Sequence, residues 1–170
     1  DPLLGGLARR AGVMRSKAVT TRTVLMLLRL RFHIVTTTRE GERHLLEEDI
    51  ALANIALDHL GHARALLTLA GQMEGRGRDE DALAYSRIER EFFNVTMLEL
   101  PNGDFARTLL RGFLWSAFLG ALWPALDASS NLQLRDIAAK CAKETRYHQR
   151  HCADWVRRLG DGTPESHRRT

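Results

Sequence analysis

The chain is poor in cysteine and proline, and sustained apolar runs are scarce. Of its 170 residues only two are cysteine and four are proline. Cys141 and Cys152 lie eleven positions apart, about 16 Å along one helix at its axial rise. They cannot bridge to each other, which excludes a disulfide framework and makes the cytoplasm the expected compartment. No apolar run approaches the roughly 20 residues of a membrane span. The best candidate, VLMLLRLRFHIV at 24–35, is broken by Arg29, Arg31 and His33. The opening stretch lacks an uninterrupted apolar region and a cleavage site, so no signal peptide is expected. Strand signals, hairpin turns, internal repeats and low-complexity tracts are missing as well.

What remains is an ordinary globular composition, 44% apolar and 27% charged. The length is that of one domain able to bury a core. The net charge of +4 and pI near 9.6 invite a nucleic-acid reading. Residues 1–44, however, hold nine Lys/Arg against three Asp/Glu, whereas residues 45–170 hold sixteen against eighteen. The basicity belongs to the first segment alone, and the near-neutral body argues against a nucleic-acid surface.

Residues 1–21 show no sustained period and are expected to be mobile and dispensable. Residues 22–35 fit helix or strand, and 36–44 read as a loop. From residue 45 the pattern is helical. Leu46, Ile50, Ala53, Leu57, Leu60 and Leu67 recur at spacings of four, three, four, three and seven. With acids in the first turn and Gly75 and Gly77 behind it, this predicts an amphipathic helix of about thirty residues. Leu83, Ile88, Phe92, Val95 and Leu98 predict a second long helix over 79–100. Asp104 is the expected cap of an apolar central helix, which Pro124 should kink or shorten. Ser129, Ser130 or Asn131 should cap a helix over 132–159 that stops at Gly160, Asp161 and Gly162. Thr163 and Pro164 then open another helix. The architecture is an all-α bundle.

The stretch KETRYHQRHCADW at 143–155 raises the question of a metal site. Glu144, His148 and His151 share one helix face. Helical bundles build di-metal centres from Glu-x-x-His pairs at i, i+3. Glu144 instead meets His148 at i+4, and Asp58 meets His62 at i+4, the spacing of a surface ion pair. These four residues are therefore degenerate metal candidates, and structural or solvent roles compete with ligation. Glu89 and Glu91 beside Arg87 and Arg90 read as a solvated face. The aromatics of WSAFLGALW read as core, and GQMEGRGRDED is a loop rather than a phosphate-binding motif.

Three stretches carry a more specific signal: LEEDIALANIALDHLGHARALL, RIEREFFNVTMLELPNGDFART and AAKCAKETRYHQRHCADWVRRLGDGTPES. Over about residues 45–169 the chain resembles the structural C-type subunits of bacterial phenylacetyl-CoA 1,2-epoxidase complexes. The resemblance implies a ferritin-like bundle, incomplete here at both ends, preceded by a basic, divergent segment over 1–44. It implies a scaffold subunit that has lost its metal ligands and is not itself catalytic. The di-iron centre would lie in a catalytic sister subunit that epoxidises the aromatic ring of the CoA thioester, fed with electrons from NADPH by a reductase. Asp58 and Glu144 then become remnants of a duplicated carboxylate site. His62 stands where the family has Gln, which adds a donor.

Two other functions compete with the scaffold. One is a di-iron carboxylate oxygenase or metal-binding bundle in its own right, and the other is a small basic DNA-binding protein. The scaffold reading expects no stoichiometric iron in this chain, no nucleic acid and no membrane. It places the partner contact on the 79–99 segment through Tyr85, Phe92 and Phe93. The adjacent rings of Phe92 and Phe93 point about 100° apart on a helix and cannot share one stripe.

Overall fold

A computed structural model describes residues 45–86, 88, 95–101 and 103–169. All of its elements are helical, and no strand occurs among the described residues. The expectations for residues 1–44 and for Phe92 and Phe93 fall outside these residues. The helices are α1 (Leu45–Glu74), α2 (Glu80–Tyr85), α3 (Thr96–Glu99), α4 (Phe105–Asp127), α5 (Leu132–Gly160) and α6 (Pro164–Arg169). The chain divides into two compact units: one holds the described residues from Ala51 to Glu99, the other Leu45–Ile50 together with the residues from Leu100 onward.

Helix α1 runs for thirty residues, as its apolar period and acidic first turn foretell, and from Ala51 onward it belongs to the first unit. It ends where Gly75 and Gly77 adopt φ of +67° and +68°, a region that any side chain would strain. The chain then turns back. Asp79 caps α2 by accepting from the Ala82 N–H, and Arg64 Nε donates to Glu80 Oε1 at 2.9 Å. Leu67 and Ala70 of α1 and Leu83 of α2 form a small apolar cluster beneath this contact.

The buried face of α1 is not the anticipated one. Leu52, Ile55, Ala56, His59, His62, Ala63, Leu67 and Ala70 are buried, whereas Ile50, Leu57 and Leu60 are more than half exposed. The helix carries two apolar stripes, and counting Leu and Ile favours the wrong one because the true stripe is interrupted by histidines. The long helix expected over 79–100 is also absent. The Ser86 N–H closes α2 on the Ala82 carbonyl, Ile88 and Val95 are not helical, and among the described residues of this segment the next helix is the four-residue α3, which buries Leu98. A window that contains Ser86, Val95 and Thr96 gives the backbone little intrinsic helix preference.

The second unit is organised by α4 packed along α5, with α6 folded against both. Asp104 caps α4 by accepting from the Arg107 N–H at 2.9 Å, and Asn131 caps α5 by accepting from Leu134 N–H at 3.0 Å. Thr163 caps α6 through Ser166 N–H. Residues Ala138, Cys141, Thr145, His148 and Cys152 form the buried stripe of α5, at alternating spacings of three and four. Facing α5 in the same unit, α4 buries Leu109, Trp115, Ser116, Leu119 and Trp123. Trp123 Nε1 donates to Thr145 Oγ1 at 2.9 Å, both residues being almost fully buried.

One expectation for α4 needs correction: it is not buried all round, since Leu114 and Phe118 are about half exposed. Pro124, expected to kink or shorten it, lies in its last turn, and the helix runs on only to Asp127. A proline there removes one hydrogen bond, to the Gly120 carbonyl. By length and composition α4 could also cross a membrane. This corrects the sequence reading, which took the run at 24–35 as the best such candidate. In this fold one side of α4 is a buried core face.

Candidate functional site

The donors nominated from sequence fall on two helices. On α1, Asp58 is half-buried and His62 is buried. The His62 ring meets His59 edge-on, with centroids 5.5 Å apart. His59, equally buried, was not singled out in the sequence. It belongs to the buried stripe because it lies three residues before His62 and four after Ile55. The cue was available: a His-x-x-His pair whose spacing is that of the Glu-x-x-His pairs in di-metal bundles.

On α5, His148 is fully buried, its ring edge-on to Tyr147 at 6.3 Å. Glu144 lies at the margin of the buried stripe, 28% exposed, with Lys140 Nζ 3.9 Å from its Oε1. This contact runs to Lys140, four residues earlier, and not to the His148 that the sequence spacing nominated as its surface partner. His151, the third residue of the shared face, does something else. Its Nε2 lies 3.2 Å from Glu48 Oε2 in the first turn of α1, and both side chains are largely buried. Those two atoms do not form an aligned hydrogen bond, and neighbouring Asp49 Oδ1 is likewise buried with no hydrogen-bond partner. Tyr147 stacks on the other side of this arrangement, its ring 6.2 Å from that of His151 at 19°.

Metal chemistry needs three or more converging donors in most protein sites. Among the described residues no group of three or more His, Cys, Asp or Glu side chains could hold a metal ion. The donor set in these residues therefore does not fit a di-iron centre. The cysteines offer no nucleophile. Burial pushes the thiols of Cys141 and Cys152 up to about 12, with a further contribution from the nearby carboxylates of Glu144 and Glu48 respectively. Buried Arg111 acts as a brace: its guanidinium donates to the carbonyls of Leu100 and Pro101, at 3.0 and 2.5 Å. Its burial lowers its pKa.

A helical chain with these degenerate donor pairs can be compared with known proteins. A family model described as "Phenylacetic acid catabolic protein" (PaaA/PaaC) matches residues 41–170. The chain belongs to this phenylacetic acid catabolic protein family. The family is helical and ferritin-like, in agreement with the all-α architecture. The C-type subunit of the 1,2-phenylacetyl-CoA epoxidase of Escherichia coli (strain K12) is 48% identical over 126 residues, which cover 74% of this chain and 50% of that protein. The chain spans about half the length of this curated relative. A model of a domain of unknown function matches residues 6–70, overlapping the start of the first match.

For this member of the phenylacetic acid catabolic family, the interface residues nominated from sequence are only partly placed. Tyr85 is 79% exposed at the end of α2. The helix that was to display it beside Phe92 and Phe93 is not continuous. The Glu48–His151 contact and the Arg111 brace were both missed. Each joins residues far apart in sequence or buries a charge that composition alone would leave in solvent.

Proposed function

We propose that this chain is a non-catalytic scaffold subunit of a multicomponent oxygenase that epoxidises the aromatic ring of phenylacetyl-CoA. The identity to the C-type subunit of a phenylacetyl-CoA epoxidase is the observation that carries this reading. The donor sets support it: Glu144 pairs with a lysine, and the described carboxylates and histidines do not gather in threes. The di-iron centre then belongs to a catalytic sister subunit, and this chain acts through its surface. Exposed Tyr85 is one proposed contact with that subunit. A cytoplasmic location accords with two free, buried thiols.

A second reading, a metal-binding bundle in its own right, draws on buried His59 and His62 at i, i+3. Iron analysis separates the two. The scaffold predicts co-purification with the catalytic sister subunit and no stoichiometric iron in the isolated chain after reconstitution. About two irons per chain, the complement of a di-iron site, lost on Glu144→Ala, would establish the second reading instead.

A further inference from the structure

The outward face of α5 is cationic, and at its two ends the charges are answered. Near its start Arg135 lies 3.8 Å from Asp127, and Lys140 lies 3.9 Å from Glu144. Near its end Arg157 pairs with Asp154 at 3.1 Å, and Arg158 sits over the Trp155 ring. Between them Lys143, Arg146 and Arg150 are exposed, and no carboxylate among the described residues lies within ion-pair distance of any of the three. Neither Lys143 nor Arg146 has an acid three or four positions away, and Asp154, four after Arg150, pairs with Arg157.

The unanswered cations surround an aromatic ring. Lys143 and Arg150 lie four residues before and three after Tyr147, on one face and about 10 Å apart along the axis. Arg146 flanks them. Tyr147 is 52% exposed. Its ring stacks on that of His151, whose Nε2 lies 3.2 Å from Glu48 Oε2 in the first turn of α1. A half-exposed tyrosine that stacks on a neighbouring ring and stands between arginine and lysine has the composition of an interface anchor.

We propose that this face of α5, centred on Tyr147 and bracketed by Lys143 and Arg150, docks an acidic protein surface on the catalytic sister subunit. The proposal rests on the scaffold reading above and adds to it the surface and the charge of its counterpart. A protein surface is favoured over nucleic acid because residues 45–170 carry two more acids than bases, so no broad positive field surrounds the stripe. Unpaired cations steer an acidic partner and set its register. Two helical turns cover only part of a stable interface, so this stripe is the charged, orienting segment of a larger contact.

The test uses the full chain and its purified sister subunit, with association and dissociation rates measured at low and high salt. The Lys143→Glu/Arg150→Glu variant should associate at least about tenfold more slowly at low salt, and the deficit should shrink as salt screens the charges. Tyr147→Ala should mainly speed dissociation, while Lys143→Arg/Arg150→Lys should bind as the unaltered chain does. Circular dichroism confirms that each variant is folded. If the folded double reversal binds within about twofold of the unaltered chain at low salt, the docking face lies elsewhere and the scaffold reading still stands. If the unaltered chain does not bind the sister subunit at all, the scaffold reading falls and takes this proposal with it. Duplex DNA binding that the reversal abolishes, with sister binding intact, would assign the stripe to nucleic acid and overturn the proposal.

Discussion

Replacing Thr145 by valine preserves the shape of the side chain and removes one atom's chemistry. Thr145 is fully buried between α5 and α4, and its Oγ1 accepts the Trp123 indole N–H at 2.9 Å. In Thr145→Val that N–H, on a residue 4% exposed, faces a methyl group. Losing a buried acceptor costs about 1–3 kcal/mol. The added apolar group offsets up to about 0.8 kcal/mol. The net loss should be about 1–2 kcal/mol, read as a lower urea midpoint at unchanged slope. It also corresponds to a Tm roughly 2–8 °C lower for a chain of this size. Thr145→Ser keeps the acceptor and removes only a methyl, so it should cost less than valine does. In a Trp123→Phe background, with no N–H to strand, the valine penalty should largely vanish, and the difference is the coupling energy of the pair. If serine costs more than valine, or valine costs the same with and without the indole, then packing rather than the hydrogen bond holds this contact.

Other consequences are equally direct. A Cβ at Gly71 would collide with the Arg78 backbone carbonyl, so Gly71→Ala should lose about 1–3 kcal/mol despite alanine's helix preference. Limited trypsin digestion should then cut faster at Arg76 and Arg78. Raising the pH should destabilise the fold through its thiols. Below pH 9, their ordinary value, both states hold the proton; between 9 and about 12 only the unfolded chain releases it. Stability is therefore full below pH 9 and falls as pH rises, by up to about 1.4 kcal/mol per unit for each thiol. Urea titrations should show a shallower decline in Cys141→Ala and Cys152→Ala. Finally, Asp104→Ala should cost about 1 kcal/mol through the lost α4 cap. Asp104→Asn should retain the cap and lose only the 3.7 Å contact with Arg169, a change near the limit of thermal-melt resolution.

Sequence alone determined whatever is decided within a turn or two of chain. The caps at Asp104, Asn131 and Thr163, the glycine stop after Glu74 and the helical class are short-range chemistry, written in residues that touch their own neighbours. Tertiary structure decided what such signals leave open. On α1 two stripes could have served as the core, and periodicity measures their spacing without saying which one another element will cover. The covered stripe turned out to contain His59 and His62, leaving Leu57 and Leu60 exposed. Segment 79–100 had a helical rhythm, yet α2 closes at Ser86, and Ile88 and Val95 lie outside any helix. Tyr147 stacks on His151, and His151 meets Glu48, a residue remote in sequence. No local pattern encodes that meeting, since it depends on how the first turn of α1 and the middle of α5 pack within one unit.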